Sequence, residues 1–321
     1  MDKRSLGNTG LQTGPLIFGG NVFGWTADEA MSFKLLDAFV DAGMNVIDTA
    51  DVYSMWIPGN EGGESETIIG KWLKQSGKRE QVVIITKVGV DINVKEMPGR
   101  INLHSEYILD EVEQSLKRLQ IDCIDIYMAH RDDETVPLEE TLEAFDQLIK
   151  QGKVRSVGAS NYEAGRLQQA LVTSAVNGFA RYETLQPCYN LYDREGFENG
   201  LQDLCVKEGI GAVTYFALAC GFLTGKYRTG ADLEGRPRAY RVREMMNERG
   251  MRILAALDSV SAEVNATPAQ VSLAWILAQP GIAAPIASAT TLEQLDELVG
   301  AANLKLPVEA VTRLNEASRY A

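Results

Sequence analysis

Two kinds of apolar spacing take turns along this chain. Short apolar runs, which are typical of buried strands, alternate with stretches in which apolar residues return every third or fourth position, as on one face of a helix. The helical spacing is clear at Leu138, Leu142, Phe145 and Leu148. The pattern predicts strands at residues 15–18, 45–47, 82–86, 124–128, 154–158, 184–186, 211–215 and 283–287. It predicts helices that include residues 28–42, 65–75, 105–119, 138–150, 162–173 and 268–278.

This alternation predicts the fold class. Eight β–α units in 321 residues are typical of the α/β class and of the (β/α)₈ or TIM barrel, whereas a doubly wound sheet usually has fewer strands or a second domain. No Pro/Ser-rich linker or short-period repeat interrupts the pattern, so we expect a single domain over residues 1–321. Asn8 and Gly10 give residues 6–11 the chemistry of an N-terminal β-hairpin turn, and residues 307–320 are predicted as an extra C-terminal helix.

Two insertions follow predicted strands and should lie at the same end of the barrel. Residues 54–63 are rich in Gly and Pro and contain Trp56. Residues 226–243 contain Pro237 and five arginines, which are Arg228, Arg236, Arg238, Arg241 and Arg243. Long loops at that end of a barrel are commonly lids or substrate walls, and solvated surface loops are the alternative interpretation.

Composition and charge exclude several classes of function. Lys and Arg total 31 and Asp and Glu total 44, so the net charge of −13 argues against nucleic acid or an anionic membrane as the partner. The chain has two histidines and four cysteines (Cys123, Cys188, Cys205 and Cys220) without a C-x-x-C motif, so we expect no metal. The first residues carry no apolar signal core and no apolar run approaches about 20 residues, so we expect a cytoplasmic location.

Ionisable residues stand at the ends of three predicted strands. Asp48, Lys87 and His130 each follow an apolar run, and Tyr53 comes shortly after Asp48. Polar side chains at the C-terminal ends of barrel strands converge on one face, so they predict an active site that gives a proton to a carbonyl oxygen. Each residue taken alone has a structural explanation: a turn cap, a loop aromatic, a strand-end ion pair or a core histidine.

The same residues carry a resemblance to a known family. The segment NVIDTADVY at 45–53 resembles the N-x-x-D-T-A-x-x-Y motif of the aldo-keto reductases, in the bacterial-type branch that includes potassium-channel β subunits. The likeness covers nearly the whole chain, with TK at 86–87, HR at 130–131, GASN at 158–161 and GFLTGKY at 221–227 in matching order. It implies a catalytic tetrad of Asp48, Tyr53, Lys87 and His130.

Physical chemistry is consistent with the implied tetrad. A tyrosine with a pKa near 10 is a weak acid at neutral pH, and a lysine cation beside it should lower that pKa by favouring the phenolate. In this interpretation Asp48 keeps Lys87 charged, His130 hydrogen-bonds the substrate carbonyl, and Tyr53 donates the proton. The hydride must come from a cofactor, because no side chain donates one.

The cofactor site is implied by the resemblance, since no Gly-x-Gly-x-x-Gly phosphate loop follows the first predicted strand. The nicotinamide is expected at the barrel mouth, with its amide contacting Ser160, Asn161 and Gln186 and its ring stacked on Tyr215. The pyrophosphate is expected along Phe216, Ala217, Leu218, Gly221, Leu223 and Lys226. The adenosine phosphate is expected near Ala287, Ser288, Thr290 and Gln294. Helix capping by Ser160 and Asn161 and strand packing by Tyr215 are the structural alternatives.

Three departures from the family pattern affect the pocket. Relatives often have Tyr/Trp-Ser-Pro-Leu where this chain has YFAL at 215–218, and His-x-Pro-Asp where it has HRDD at 130–133. Relatives that prefer NADP usually place Lys or Arg just before the last helix, where this chain has Thr290 and Thr291. NADP, with NADPH as the reductant, is predicted because it is the family default, and NAD is the alternative.

The implied function is NAD(P)H-dependent reduction of an aldehyde or ketone to an alcohol, with a small-molecule carbonyl compound as the partner. The alternatives are an NAD-dependent alcohol or sugar dehydrogenase working in the oxidative direction, a non-catalytic cofactor-binding partner protein, and an aldolase with a Schiff base on Lys87. Asp48 should raise the pKa of Lys87, which argues against the aldolase. Trp25 and Trp56 are expected to form a substrate wall. The sequence predicts neither the physiological substrate nor the oligomeric state.

Overall fold

The computed structural model describes residues 2–91, 100–236 and 238–320. Its strands are β1 (Arg4–Ser5), β2 (Gln12–Thr13), β3 (Ile17–Gly19), β4 (Val46–Asp48), β5 (Val83–Val88), β6 (Val90–Asp91), β7 (Arg100–Ile101), β8 (Ile124–Ala129), β9 (Val154–Ser160), β10 (Tyr182–Gln186), β11 (Gly211–Thr214) and β12 (Ile282–Ala287). Its helices are α1 (Glu29–Asp41), α2 (Glu64–Ser76), α3 (Ser105–Leu119), α4 (Leu138–Lys150), α5 (Ala164–Asn177), α6 (Glu195–Glu198), α7 (Leu201–Glu208), α8 (Ala239–Met245), α9 (Glu248–Val264), α10 (Pro268–Leu277), α11 (Leu292–Gly300) and α12 (Val308–Ala317).

Eight strands form a closed parallel barrel whose order follows the chain. The hydrogen-bonded order is β3-β4-β5-β8-β9-β10-β11-β12, and β12 returns to pair with β3, with Ile286 beside Ile17. At least one helix separates each barrel strand from the next along the chain. This architecture confirms the predicted (β/α)₈ barrel, and α12 is the predicted additional C-terminal helix.

A short hairpin packs against the N-terminal end of the barrel, as predicted. Strands β1 and β2 pair antiparallel, and the turn between them carries Leu6, which is fully buried in one cluster with Ile17 and Val46. Gly7 in this turn has a left-handed φ of 61°, and a side chain there would meet the carbonyl oxygen of Glu183 at 1.9 Å. Glycine therefore allows the backbone of the turn to lie directly on β10.

Two apolar layers hold the barrel together, one inside it and one between its strands and helices. The inner layer consists of the buried residues Leu6, Ile17, Val46, Val83, Ile85, Ile126, Met128, Val213, Ala283, Ala284 and Ile286. The outer layer is larger and includes the fully buried rings of Trp72, Trp275, Tyr127, Tyr182 and Phe145. Removal of this apolar surface from water is the main favourable contribution to folding.

The strands extend further toward the barrel mouth than their apolar runs indicate. Asp48 is the last residue of β4, Ser160 is the last residue of β9, and Lys87 lies inside β5 and does not follow it. The expectation that Lys87 follows its strand is therefore wrong by two residues. The apolar runs stop at these positions because the mouth of a barrel is lined by polar side chains that still belong to the strands.

Two features of the chain lie outside the predicted pattern. Strands β6 and β7 form a small antiparallel pair, with Val90 beside Ile101, after the third barrel strand. Helix α8 begins in the arginine-rich insertion at 226–243 and ends at Met245, and Pro237 of that insertion lies outside the described residues. No helix in the described ranges is long and apolar enough to cross a membrane.

The connections from helices back to barrel strands share one backbone feature. Each contains a residue with a left-handed φ, and these residues are Gly43, Gly77, Gln120, Gly152, Gly178, Gly209 and Gly281. Glycine favours this conformation because it has no Cβ to clash with the backbone. The helix start expected at Pro268 is also present, where Thr267 and Gln270 form a reciprocal capping box.

Candidate active site

A cavity of about 1050 Å³ opens at the C-terminal ends of the barrel strands. Its wall contains three members of the predicted tetrad, Asp48, Tyr53 and His130, together with side chains from both insertions. The fourth member, Lys87, is fully buried and contacts Asp48 and Tyr53. The structure thus brings together the four residues that the sequence places on three successive barrel strands and one loop.

The Lys87 ammonium is the centre of this charge network. Its Nζ donates to Asp48 Oδ2 at 2.9 Å, to the carbonyl oxygen of Thr49 at 2.7 Å and to the Tyr53 hydroxyl at 3.0 Å. These bonds use all three N–H donors of the ammonium group. Asp48 also accepts a bond from Gln186 Nε2 at 2.7 Å, so the buried ion pair has partners on both sides.

The surroundings of Lys87 bear on whether it supports carbonyl reduction or forms a Schiff base, as in an aldolase. Burial lowers the pKa of Lys87, and the attraction of Asp48 opposes that shift without cancelling it. Asp48 raises this pKa, as expected, but the net shift is downward because desolvation outweighs one nearby carboxylate. The aldolase interpretation is disfavoured on geometry instead, since an ammonium group engaged through three N–H bonds presents no lone pair to a substrate.

Tyr53 is held in its protonated form. Burial raises the pKa of Tyr53 well above 10, and the Asp48 carboxylate, 3.5 Å from the hydroxyl, adds to the rise. The net shift is opposite in direction to the lowering expected from a lysine cation, because burial and the Asp48 carboxylate raise this pKa by more than the nearby Arg238 cation lowers it. The phenol therefore keeps the proton that a general acid must supply.

His130 follows β8 directly and packs against Tyr53. The two rings lie 6.0 Å apart between centroids in an edge-to-face arrangement. Burial, followed by the cations of Lys87 and Arg131, lowers the pKa of His130 well below 6.5, so the ring is neutral at neutral pH. Its Nδ1 atom is buried and has no hydrogen-bond partner in the described part of the chain. A neutral imidazole beside a phenol suits hydrogen bonding to a carbonyl oxygen.

Four residues predicted to contact a nicotinamide form one hydrogen-bonded group on the cavity wall. The Tyr215 hydroxyl donates to Asn161 Oδ1 at 2.6 Å, and Asn161 Nδ2 donates to Ser160 Oγ at 3.0 Å. Ser160 Oγ in turn donates to the carbonyl oxygen of Gln186 at 3.0 Å. Asn161 has a φ of 58°, a conformation that costs a non-glycine residue about 1–3 kcal/mol and clusters at functional sites.

The remaining predicted cofactor residues line the same cavity, with one exception. The lining residues are Phe216, Ala217, Leu218, Gly221, Lys226, Ala287, Ser288, Thr290 and Gln294. Leu223 is fully buried and is not part of the cavity wall. Its apolar side chain turns into the core, while its N–H bonds the carbonyl oxygen of Leu218 at 3.3 Å.

The turn at Gly221 suits a phosphate group. Gly221 has a left-handed φ of 91°, and a Cβ built there would lie 3.3 Å from Lys226 Nζ. The absence of a side chain therefore leaves backbone and ammonium side by side at the cavity wall. Backbone N–H groups and a lysine cation are a common arrangement for binding pyrophosphate. With a cavity of this volume, the residues present fit a dinucleotide cofactor.

The insertions at 54–63 and 226–243 both contribute side chains to the cavity wall. This supports their interpretation as substrate walls and not as solvated surface loops. Trp56 packs edge to face on Trp25 at 5.7 Å and on Tyr53 at 6.0 Å between ring centroids. The guanidinium of Arg238 lies 5.1 Å from the centre of a Trp25 ring. The two insertions therefore meet through Trp25, beside the proposed acid.

Not every residue of the cavity wall was predicted from the sequence. The polar and charged side chains that were missed include Asn21, Arg131 and Glu297. Asn21 accepts a bond from Ser288 at 2.7 Å across the closing strands of the barrel, a contact with no local signal in the sequence. One sequence feature could have indicated that Arg131 lines the cavity, which is its position directly after His130.

A second buried charge cluster lies behind the site. Glu66 accepts bonds from Thr86 Oγ1 at 2.6 Å and from Arg118 Nε at 2.6 Å, and Arg118 also bonds Glu111. Burial, followed by the Glu111 and Glu66 carboxylates, raises the pKa of nearby Asp51 well above 3.8. Since Thr86 precedes Lys87, this cluster supports the strand that carries Lys87.

Metal and thiol chemistry are not indicated in the described ranges. No group of three or more His, Cys, Asp or Glu side chains there is arranged to hold a metal ion. The four cysteines are unpaired. Burial raises the pKa of Cys188 to about 12, so this thiol is protonated and unreactive at neutral pH.

Comparisons with known proteins agree with this geometry. The sequence model of the Aldo/keto reductase family matches residues 15–319. The chain is 34% identical to the uncharacterized oxidoreductase YrpG of Bacillus subtilis, over 98% of this chain and 95% of that protein. It is 31% identical to the Schizosaccharomyces pombe aldo-keto reductase yakc, whose name specifies NADP(+), over 92% of this chain and 84% of that protein.

A further relative connects the chain to channel subunits. A putative voltage-gated potassium channel subunit beta of Schizosaccharomyces pombe is 32% identical over 98% of this chain and 92% of its own length. The eight-stranded barrel, the convergence of the motif residues at its mouth and these matches lead to one conclusion. This chain belongs to the aldo/keto reductase family.

Proposed function

We propose that this protein is an NAD(P)H-dependent oxidoreductase that reduces an aldehyde or ketone to an alcohol. The observation that carries the proposal is the fully buried Lys87, which bonds both Asp48 and Tyr53 at a cavity of about 1050 Å³. The arrangement holds a neutral phenol at the cavity wall with a cation 3.0 Å from its oxygen. Such a phenol can protonate a carbonyl oxygen, and the cation stabilises the phenolate that forms.

The residues of the chain would divide the reaction between them. When bound, the reduced nicotinamide supplies the hydride that adds to the carbonyl carbon. Tyr53 transfers its proton to the carbonyl oxygen, which completes the alcohol. His130, which is neutral, hydrogen-bonds that oxygen and orients it toward Tyr53. Lys87 stabilises the negative charge left on Tyr53, and Asp48 and the Thr49 carbonyl hold Lys87 in position.

The cofactor would lie across the cavity in three parts. We place its nicotinamide at Ser160, Asn161, Gln186 and Tyr215. We place its pyrophosphate at Phe216, Ala217, Leu218, Gly221 and Lys226, and its adenosine phosphate at Ala287, Ser288, Thr290 and Gln294. We propose NADP(H) as the preferred form, supported by the name of the relative yakc. NAD(H) is the alternative, because Thr290 and Thr291 occupy positions where relatives that prefer NADP carry a basic residue.

The acid assignment is tested with Tyr53→Phe, which removes the proton and keeps the ring. We expect NADPH binding to persist and kcat for aldehyde reduction to fall by about 10²–10⁴-fold, the usual contribution of a general acid. Tyr320→Phe, outside the cavity wall, serves as the matched control and should retain full activity. A Tyr53→Phe enzyme that reduces aldehydes at the unmodified rate would show that another group is the acid.

The cofactor assignment is tested by quenching of tryptophan fluorescence, since Trp25 and Trp56 line the cavity. NADPH and NADH are titrated side by side. Tighter binding of NADPH supports the preferred form, and it would indicate that hydroxyls or insertion arginines replace the basic residue of relatives. Tighter binding of NADH favours a dehydrogenase working in the oxidative direction. Binding of neither cofactor would refute the assignment.

A non-catalytic binding role is the second candidate function. The similarity to a putative potassium channel subunit beta is the observation that favours it. This candidate predicts tight cofactor binding without turnover over a broad panel of aldehydes and ketones. A reducing cytoplasm is the proposed location for either function, consistent with the four unpaired cysteines.

A further inference from the structure

One backbone N–H group in the turn after β11 has no protein partner. Ala217 lines the cavity and is only 1% exposed, and its N–H donates to no acceptor within residues 2–91, 100–236 and 238–320. Buried N–H groups are rarely left without a partner, because an unmade hydrogen bond is costly inside a protein. This donor is therefore free to bind a molecule in the cavity.

The donor arises from a departure in the sequence. The family pattern Tyr/Trp-Ser-Pro-Leu places proline where this chain has Ala217. Proline has no N–H, so the departure adds one donor to the backbone of this turn. The donor lies between Phe216 and Leu218, where we place the cofactor pyrophosphate. An alanine that simply fills a turn is the structural explanation, and it does not account for an unpaired buried N–H.

Asn190 sets the direction of this N–H. Its Nδ2 donates to the carbonyl oxygen of Phe216 at 3.0 Å, and the Ala219 N–H donates to the same oxygen at 2.7 Å. Neither Asn190 nor Ala219 lines the cavity, so both bonds draw this carbonyl away from it. The C=O and N–H of a trans peptide unit point in opposite directions, and no described peptide bond is cis. The Ala217 N–H, in the same peptide unit, therefore points toward the cavity.

Asn190 is itself fixed in one orientation. Its side chain is fully buried, its Nδ2 also donates to Asp193 Oδ2 at 2.9 Å, and its Oδ1 accepts from the N–H groups of Tyr192 and Asp193 at 2.7 Å and 2.8 Å. With the bond to Phe216, these use both N–H donors and both lone pairs of the amide. Phe216 has a left-handed φ of 54°, which a non-glycine residue keeps only where its surroundings enforce it. The bond from Asn190 is one such constraint.

We propose that the Ala217 N–H donates to the cofactor pyrophosphate and that Asn190 is the positioning residue that directs it there. The inference rests on the proposed function and names a donor of the cofactor site together with its support. A bond from an N–H to an anionic oxygen is charge-assisted and about twice as strong as a neutral one. A role confined to closing the loop at 190–193 would explain the bonds to Tyr192 and Asp193, but not the bond to Phe216, 26 positions along the chain.

Two substitutions at one position test the donor. Ala217→Pro removes the N–H, and the family pattern shows that this turn accommodates proline. We expect it to raise the Kd for NADPH about 10-fold, which is the effect of one charge-assisted bond. Ala217→Gly keeps the N–H and is the matched control, with a Kd within about 2-fold of the unmodified protein. Quenching of tryptophan fluorescence measures both, since Trp25 and Trp56 line the cavity.

A double-mutant cycle tests the positioning role of Asn190. Asn190→Ala should raise the Kd for NADPH about 3–10-fold in the unmodified background. In the Ala217→Pro background it should change the Kd by less than about 2-fold, because the N–H through which Asn190 acts is gone. Asn177→Ala removes an amide from an exposed side chain outside the cavity and should leave the Kd unchanged. Equal effects of Asn190→Ala in both backgrounds would overturn the positioning role.

Amide signals supply a measurement that does not depend on the proline variant. In NMR spectra of protein labelled with ¹⁵N-alanine, the Ala217 signal is the one that Ala217→Gly removes. Saturation with NADPH should shift this signal, and Asn190→Ala should reduce the shift. A signal that stays in place at saturation would overturn the proposed donor.

The possible failures are distinguishable. If the unmodified protein binds neither NADPH nor NADH, the proposed function and this inference fail together. If it binds either cofactor, and the Ala217→Pro and Ala217→Gly variants bind that cofactor equally well, only this inference fails.

Discussion

The two ends of the barrel differ in which residue types adopt a left-handed backbone conformation. At the N-terminal end, the left-handed residues in the connections from helices to strands are glycines, with Gln120 as the exception. At the C-terminal end, five left-handed residues are not glycine: Ser54, Asn161, Phe216, Ala219 and Cys220. Each such residue costs about 1–3 kcal/mol, and such strain persists where the surrounding structure enforces it. Strain is therefore concentrated at the end that contains the cavity, and the other end is relaxed.

Each end also contains a buried aspartate, and the partners differ. Asp125, at the start of β8, accepts a bond from the Ile84 N–H at 2.8 Å and pairs with the partly exposed Arg79 at 2.9 Å. Asp48, at the end of β4, pairs with Lys87, which also bonds a cavity-lining phenol. Asp125 ties strands together, and under the proposed function Asp48 holds the charge of Lys87 in position for chemistry. We therefore infer that similar buried pairs serve stability at one end and reactivity at the other.

The largest effects are expected when Asp48 and Asp125 are each replaced by the neutral residue asparagine. Asp48→Asn removes the charge that positions Lys87, so we expect kcat for carbonyl reduction to fall by about 10²–10⁴-fold. Asp125→Asn leaves Arg79 without its buried partner, so we expect a loss of about 3 kcal/mol in the free energy of unfolding. The measurements are steady-state kinetics and urea unfolding on both variants.

If the two aspartates have different roles, each substitution should impair one property and leave the other unchanged. Asp125→Asn should keep its kcat at temperatures where it is folded, because Asp125 does not line the active cavity. A large loss of kcat in that variant, or unimpaired turnover in Asp48→Asn, would mean that the two ends do not divide stability and chemistry.

A second prediction concerns the close packing of the hairpin at the relaxed end. A Cβ at Gly211 would meet the Gly7 nitrogen at 2.4 Å, so Gly211→Ala should cost about 1–3 kcal/mol of stability through overpacking. Gly165→Ala, with no atom within 4 Å of its Cβ, is the control and should not destabilise the protein. Thermal unfolding measures both. Equal melting temperatures would show that the hairpin moves aside easily.

A third prediction uses the buried Asp51 behind the strained end. Its pKa is raised above 3.8, so its contribution to stability is complete below pH 3.8 and is lost as the pH rises through its folded value. Asp51→Asn mimics the protonated acid and should remove this dependence. Unfolding free energies from pH 4 to pH 8 should therefore show the variant gaining relative to the unmodified protein as the pH rises. A constant difference would mean that the pKa of Asp51 is not raised in the folded protein.

The smallest effects are expected when glycine is replaced by alanine at the N-terminal end of the barrel and alanine by glycine at the C-terminal end. Gly152→Ala places a side chain at a φ of 72° and should cost about 1 kcal/mol. Ala219→Gly relieves a φ of 47° at the cavity end and should change stability by less than about 1 kcal/mol, in the stabilising direction. Differential scanning calorimetry resolves both shifts. Stabilisation by Gly152→Ala would contradict the relaxed state assigned to the N-terminal end.

The fold could be predicted because each β–α unit is encoded locally. An apolar run marks each strand, and an amphipathic stretch marks the helix that follows, so long-range information is not needed to count eight units. The convergence of Asp48, Tyr53, Lys87 and His130 could be predicted for a related reason, since barrel topology brings the C-terminal ends of all strands to one face whatever their spacing in the chain.

What could not be predicted depends on burial and on distant contacts. The pKa directions of Tyr53 and Lys87 follow from desolvation, which is a property of the assembled site. The orientation of Leu223 into the core depends on a turn in which Ala219 and Cys220 have left-handed φ values. The contact between Asn21 and Ser288 joins opposite ends of the chain, and no local pattern reports it.

Closure of the barrel between β12 and β3 has a consequence for synthesis. Ile17 pairs with Ile286 and Phe18 with Ala287, so the seam cannot form until the eighth unit has left the ribosome. Pairings this distant in sequence are slow to form, because a long loop must be ordered first. During translation β3 presents an unpaired edge, which is a template for association with another chain. The same seam that completes the cavity is therefore the point at which the nascent protein is most exposed to aggregation.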